Sequence, residues 1–263
     1  MQLRNLLVAL TIQSTLFAVP AFAETAEEQG LAIAKEIKQS NVGWGDSETS
    51  LKLVLRNAAN QESTRELRTK TLEIDNDGDK SISIFDHPRD VKGTAFLSFS
   101  HTTGSDDQWL YLPALKRVKR IASRNKSGPY MGSEFAYEDL SSFEVEKYTY
   151  KLIGEEPCAG GTCFVLEQYP VDKYSGYTRL ISWVDKDEYR SWKTTYYDRK
   201  NTLLKTLAVN EYKQYNNKFW RIMNMTMENH QTRKSTDVVF GEYTFGVGLK
   251  ESDFNKNSLK RAK

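Results

Sequence analysis

Apolar and polar residues alternate with a period of two over most of this chain, and that pattern limits the fold more than any other feature. Such alternation places successive side chains on opposite faces of a β-strand. Tyr148, Tyr150 and Leu152, for example, alternate with polar neighbours. The segments that carry the pattern are 51–56, 67–74, 82–84, 95–100, 108–112, 148–152, 162–169, 178–184, 189–198, 203–215, 219–229 and 236–243. Short turns join most of them, so the sequence predicts an antiparallel meander of eleven or twelve strands.

Helical spacing is confined to a few places. Residues 24–40 form the one clear amphipathic helix, since Leu31, Ala34 and Ile37 share a face and a glycine-containing segment follows. Shorter segments with helical spacing occur around 135–140 and near 252–260. Twelve strands must close into a barrel, wrap partly around a core or stack as a sandwich. A mean hydropathy of -0.62 with 12% aromatic residues suits sheets that have one wet face.

The N-terminus has the pattern of a cleaved signal peptide. Arg4 precedes an apolar run from Leu6 to Val19, and Ala21-Phe22-Ala23 gives a small-x-small cleavage site after Ala23. A membrane anchor is less favoured, because polar residues interrupt a run shorter than the ~20 residues needed to span a bilayer. We therefore predict a signal peptide over 1–23, a single domain over 24–263 and a periplasmic location. The net charge of +2 argues against nucleic-acid binding.

The two cysteines, Cys158 and Cys163, flank Ala-Gly-Gly-Thr. An exported chain meets an oxidising compartment, so we predict a disulfide that closes a hairpin. A redox function is less favoured, because the spacing is C-x4-C and not C-x-x-C.

The segment from Asp75 to Asp86 resembles a calcium-binding EF-hand loop, with Asp75, Asp77 and Asp79 at its first, third and fifth positions. Lys80 occupies the position that needs glycine, and the flanking residues alternate as strands do. We therefore interpret the segment as a polar hairpin turn, with a calcium site as the alternative.

Catalytic signatures are absent from the sequence. His87, His101 and His230 are far apart, and neither a zinc-binding spacing nor a nucleophile elbow occurs. A hydrolase whose residues meet only in space remains an alternative.

Two further patterns suggest binding surfaces. Lys116, Arg117, Lys119 and Arg120 form part of a basic run without acids, which is either a solvated strand edge or a docking edge for anionic headgroups or an acidic partner. Methionines recur with period two in 223–227, and thioethers on one strand face either fill a core or adapt to apolar ligands. We predict that an apolar cavity is lined by Phe99, Trp109, Tyr111, Trp183, Met223, Met225 and Met227.

Several long blocks then indicate a family. They are KGTAFLSF, DDQWLYLPALKRVKRI and GPYMGSEFAYEDL within 92–140, and later EEPCAGGTCFVLEQYP, WVDKDEYRSWKTTYYDRKNTLLK and VVFGEYTFGVGLKESDF. Together they resemble the LolA-like outer-membrane lipoprotein-sorting proteins of the TP-0789 domain type, over essentially the whole chain after the signal peptide.

The resemblance implies a fold and a function. The fold is mainly β, a strongly curved antiparallel sheet that forms an incomplete barrel, with an N-terminal helix and short helices covering an apolar cavity. The function is that of a monomeric, non-enzymatic periplasmic carrier of lipids or lipoprotein acyl chains, without a cofactor, associated with an RND/MMPL-type inner-membrane transporter. The alternatives are a lipid hydrolase, with or without calcium, and a ligand-free accessory subunit of a transporter.

Overall fold

The computed structural model describes residues 23–257 and 259–261. Residues 1–22 of the predicted signal peptide lie outside the described residues. One α-helix, α1 (Ala26–Gln39), precedes fourteen strands in the described part of the chain. The strands are β1 (Asp46–Arg56), β2 (Glu62–Leu72), β3 (Lys80–His87), β4 (Ala95–Phe99), β5 (Asp107–Leu112), β6 (Arg117–Ile121), β7 (Tyr148–Cys158), β8 (Gly161–Pro170), β9 (Tyr177–Asp185), β10 (Ser191–Asp198), β11 (Leu203–Tyr215), β12 (Phe219–Asn229), β13 (Lys234–Phe240) and β14 (Thr244–Phe245). Short 3-10 helices span Pro113–Leu115, Ser123–Asn125, Tyr137–Leu140, Val145–Lys147, Glu251–Asp253 and Leu259–Arg261.

All fourteen strands belong to one antiparallel sheet. Its order is β6-β5-β4-β3-β2-β1-β13-β12-β11-β10-β9-β8-β7, and β14 pairs with β1 beside that path. The sheet does not close, because β6 and β7 are its two ends and do not pair. These observations confirm the predicted mainly β, incomplete-barrel fold. None of the described helices has the length and apolar character that a transmembrane segment needs.

The connection from β6 to β7, residues 122–147, runs across the inner face of the sheet; we call it the inner segment. Tyr130 and Phe135 of this segment share one hydrophobic cluster with Ile121 of β6 and Leu180 of β9. Strands from both halves of the sheet therefore meet the same segment, which requires the sheet to curve around it. The helical segment predicted near 135–140 is the 3-10 helix Tyr137–Leu140.

The opposite, outer face is covered at β3–β5 by the C-terminal segment. Phe254 and Leu259 are 3% and 0% exposed and pack against Ile82, Ile84 and Leu97. This part of the sheet consequently has apolar side chains on its outer face, where a meander with one wet face would carry polar ones.

Helix α1 packs on β7 and β8. Thr25 and Glu28 form a capping box at its start. Gly30 faces the backbone of β7 so closely that a Cβ atom there would lie 2.8 Å from the Lys151 nitrogen. Ile33 is buried in the same contact, beside Tyr150 and Leu166.

The cysteine prediction is confirmed, since Cys158 of β7 and Cys163 of β8 form a disulfide across the hairpin. The sequence pattern missed two short strands. Arg117, Lys119 and Arg120 of the basic run belong to β6, and Thr244–Phe245 pairs with β1.

Candidate functional site

Three adjoining cavities lie between the inner face of the sheet and the inner segment. The first has a volume of about 310 Å3, the second about 980 Å3 and the third about 690 Å3. Ser142 lines all three. Asp79 and Phe240 line both the first and the second, and Asp139 and Ser141 line both the first and the third. A bound molecule can therefore extend from one cavity into the next.

The first cavity combines an apolar wall with a row of hydroxyl groups. Strand register explains both, because Leu51 pairs with Leu67 and Phe240 across neighbouring strands, so their side chains share a face. The hydroxyl row comes from β2 and β3, where Thr69 pairs with Ser83. The other lining residues include Leu53, Thr71, Ser81, Phe96, Tyr130, Phe135, Met225 and Val238.

A buried ion pair fixes the inner segment between the first and third cavities. Lys205 of β11 and Asp139 have side chains that are 2% and 5% exposed. The Lys205 ammonium donates to Asp139 and to the Glu134 carbonyl oxygen. The Tyr177 hydroxyl donates to the other Asp139 oxygen at 2.7 Å, and burial raises the pKa of that hydroxyl, so it stays a neutral donor.

Asp79 is an acid at the boundary of the first and second cavities. Burial raises the pKa of its carboxyl group to about 6, with Glu144 and Glu73 raising it further and Lys38 and Arg221 opposing them. Its backbone N–H donates to the Ser142 hydroxyl at 3.2 Å. This contact ties the β2–β3 turn to the inner segment.

The third cavity has aromatic and small polar walls. Tyr148, Tyr177 and Tyr196 line it together with Ser182 and Val184 of β9. The Ser182 hydroxyl lies 2.9 Å from that of Thr194 and accepts from Gln168, so these buried polar groups satisfy one another.

The structure divides the predicted methionine stripe among three environments. Met225 lines the first cavity, Met227 is fully buried in the main core, and Met223 is buried with its sulfur 3.7 Å from the Tyr215 hydroxyl. Of the seven residues predicted to line a cavity, Met225 alone is among the lining residues of the three cavities described here.

The four aromatic residues of that prediction lie on the outer face. Phe99, Trp109 and Tyr111 pack in the cluster that the C-terminal segment covers. Trp183 donates its indole N–H to Glu156 at 2.7 Å, and Lys193 lies over its ring. The alternation of side chains along a strand explains this position. The residues next to these aromatic residues face inward, so the aromatic rings face outward.

The predicted basic docking residues lie together at the start of β6 and along it. Lys116 directly precedes the free edge strand β6, and Arg117 begins it. Arg120 of the same strand pairs with Asp107. Lys119 is exposed on the same strand.

The acidic segment is a hairpin connection between β2 and β3, as predicted, with Leu72 paired to Lys80. Burial raises the pKa of Asp77, but a hydrogen bond with His101 at 2.9 Å on one carboxylate oxygen and one from the Thr102 N–H on the other lower it to about 2. In the part of the chain that the structure describes, no group of three or more acidic, histidine or cysteine residues is arranged to hold a metal ion.

Sequence reasoning missed most of the cavity wall. The hydroxyl row of β2 and β3 has the pattern of a wet face, and only the packing of the inner segment shows that it faces inward. Lys205 gave a weak signal, as a lysine within an otherwise apolar stretch of β11, but its partner Asp139 is 66 residues away in sequence.

Comparisons with other proteins agree with this architecture. A family model described as "uncharacterized protein" matches residues 77–261. No curated protein matches the chain. A crystal structure from Vibrio parahaemolyticus, described as an outer membrane lipoprotein-sorting protein domain, is 59% identical, with a TM-score of 0.88 over 89% of this chain and 100% of that one.

Two further structures are similar. A DUF1329 family protein from Desulfovibrio piger is 28% identical, with a TM-score of 0.85 over 90% of this chain and 100% of that one. A LolA superfamily protein from Nitrosomonas europaea shares the fold at 18% identity, with a TM-score of 0.70 over 89% of this chain and 99% of that one. With the open sheet, the inner segment and the cavities between them, these matches show a LolA-like fold, and the Vibrio parahaemolyticus relative shows that the chain belongs to the outer membrane lipoprotein-sorting protein domain family.

Proposed function

We propose that this protein is a non-enzymatic periplasmic carrier that binds lipids, or the acyl chains of lipoproteins, for transfer towards the outer membrane. The observation that carries the proposal is the first cavity, whose volume of about 310 Å3 lies within the ~300–1,000 Å3 typical of ligand sites. The Vibrio parahaemolyticus relative is described as an outer membrane lipoprotein-sorting protein domain, which supports the proposed role in lipoprotein transfer. A periplasmic location is part of the same proposal.

The chemistry of the cavity suits acyl chains. An exposed CH2 group in water costs about 0.8 kcal/mol, so a carrier gains affinity by removing it from water. Leu51, Leu53 and Val238 provide apolar contact, and Met225 provides a flexible thioether that adapts to different chains. An area-driven interaction of this kind permits release to a second acceptor.

The docking surface is a separate part of the proposal. The free edge strand β6 carries exposed Arg117 and Lys119, and we assign to it contact with an RND/MMPL-type inner-membrane transporter or with anionic headgroups. The carrier acts as a monomer in this scheme. Binding through exposed lysine and arginine side chains weakens as salt rises, because ions screen exposed charges.

A matched pair of variants tests the carrier function. Leu51→Trp fills the first cavity from β1, whereas Lys52→Trp adds the same side chain on the opposite face of that strand. We expect the first to weaken displacement-measured binding of a fluorescent fatty acid about tenfold and the second to leave it unchanged. Circular dichroism melting of both variants controls for folding.

Native mass spectrometry of protein isolated from the periplasm gives the complementary result. We expect bound lipid or lipid-modified protein. Protein that carries no lipid and ignores fatty acids contradicts a carrier; if it also co-purifies with a transporter, it is an accessory subunit. Hydrolysis of phospholipid that one Ser, His or Asp substitution abolishes would instead identify a hydrolase.

A further inference from the structure

The second cavity contains a cation that lacks a carboxylate partner. Arg221 of β12 is half-buried in its wall, and no carboxylate of the described residues lies within 4.0 Å of its guanidinium. Its two hydrogen bonds both start from Nη1, to the Asn41 side-chain oxygen at 2.7 Å and to the Trp220 carbonyl oxygen at 3.0 Å. The Nε and Nη2 donors therefore have no acceptor among the described residues.

Other cations of this cavity are compensated. Lys38 pairs with Glu144 at 2.8 Å, and Arg190 pairs with Asp185 at 2.8 Å. Arg221 is surrounded by aromatic rings instead, with Trp44 at 5.4 Å and Phe245 at 5.2 Å from its guanidinium carbon. Burial lowers the pKa of Arg221, and the nearby Tyr243, Asp79 and Glu73 oppose that effect. A desolvated charge without a partner is costly, so an anionic ligand would be favoured here.

A second cation of this cavity has free donors. Lys218 is exposed and donates to the Val42 carbonyl oxygen, which uses one of its three N–H groups. Lys218 and Arg221 both line the second cavity, and they bond the neighbouring residues Val42 and Asn41.

Three of the seven acids that line this cavity have partners of their own. Both oxygens of Glu73 accept backbone N–H groups, from Gly43 and Gly45 at 2.7 Å. Glu144 pairs with Lys38, and Asp77 with His101. The other acids that line it are Asp75, Asp79, Glu146 and Glu188.

We propose that Arg221 and Lys218 bind the phosphate of a phospholipid whose acyl chains occupy the first cavity. The inference rests on the proposed carrier function and specifies its cargo. Phe240 lines both cavities, so one amphiphile can place its chains in the first and its headgroup in the second. Arginine suits this ligand, because its planar fork donates two hydrogen bonds to phosphate oxygens.

The experiment compares phosphatidylglycerol with diacylglycerol of the same short acyl chains, using displacement of a fluorescent fatty acid from the full protein. We expect wild type to bind phosphatidylglycerol at least about tenfold more tightly. Arg221→Gln should remove that preference and leave diacylglycerol binding unchanged. Lys218→Gln, at an exposed position, should reduce the preference without loss of folding. Lys213→Gln is the control, since Lys213 is exposed and pairs with Glu242.

Four results would overturn the inference. They are equal binding of the two lipids by wild type, an unchanged preference in both Arg221→Gln and Lys218→Gln, tighter binding of free fatty acid than of phosphatidylglycerol, and binding of inorganic phosphate at this site without competition from the lipid. If the protein does not bind the fluorescent fatty acid either, the carrier function itself fails, which distinguishes the two conclusions.

Discussion

Removal of the Lys205 ammonium should detach the inner segment from the sheet. In wild type the Asp139 carboxylate accepts from Lys205, from the Tyr177 hydroxyl and from the Ala136 N–H at 2.7 Å. Lys205 also lies over the rings of Tyr177 and Tyr196, at 5.2 and 5.1 Å from their centroids. Lys205→Met leaves the carboxylate 95% buried with two donors and no counter-charge.

The expected cost follows from that burial. Removing one partner of a buried ion pair typically destabilises a protein by about 3–5 kcal/mol, because the other charge stays desolvated. Asp139→Asn should cost a similar amount by leaving the ammonium alone. The double variant Lys205→Met/Asp139→Asn removes both charges and keeps an amide oxygen for Tyr177. We therefore expect the double variant to be at least about 1–3 kcal/mol more stable than the sum of the two single losses predicts.

Urea unfolding at pH 7, followed by tryptophan fluorescence, measures these free energies. Lys213→Met is the matched control, because Lys213 lies on the same strand and pairs with Glu242 in solvent, where ion pairs contribute about 0–1 kcal/mol. Hydrogen exchange of residues 130–140 should accelerate in Lys205→Met. A loss below about 1 kcal/mol, or single-variant losses that add without coupling, would refute the role of this pair as the anchor of the inner segment.

Three further predictions concern other parts of the molecule. Asp79→Asn should raise the free energy of unfolding by about 2–3 kcal/mol at pH 8 and leave it unchanged near pH 4. The reason is that the folded-state pKa of Asp79, about 6, exceeds the usual 3.8, so wild type loses stability as pH rises through 6. Replacing Cys158 and Cys163 by alanine should cost about 2 kcal/mol in urea unfolding, since the disulfide closes a short loop. Gly30→Ala should lower the melting temperature, although alanine favours helices, because its Cβ would meet Lys151 at 2.8 Å.

Each of these has a control and a contradicting result. Asp86→Asn, at an exposed ion pair, should show no comparable gain at pH 8, and an Asp79→Asn gain that is independent of pH would contradict the burial argument. Reduction of wild type should reproduce the loss seen on cysteine replacement, and equal stability of the two forms would contradict it. Ala32→Gly, on the exposed face of α1, reports helix propensity alone; a stabilising Gly30→Ala would show that helix and strand can separate without cost.

The amino-acid sequence by itself determined the strands, the helix and the disulfide. Alternation is a local property, so segments such as 148–152 and 219–229 identify strands without knowledge of their neighbours. The capping pair Thr25 and Glu28 likewise lies within one helical turn. The resemblance of long blocks to LolA-like proteins added the open, curved arrangement of the sheet, which alternation alone left undecided between barrel, partial barrel and sandwich.

Only the tertiary structure decided which strand face lines the cavity. Alternation states that Phe99 and Ser98 point to opposite sides, but it does not state which side is inside. The C-terminal residues Phe254 and Leu259 cover the aromatic face of β3–β5, so Ser81 and Ser83 face the cavity. The pairing of Lys205 with Asp139 depends on chain segments that meet only on folding. The same holds for the position of Arg221, which has no carboxylate partner among the described residues, because long-range packing and not local spacing sets both environments.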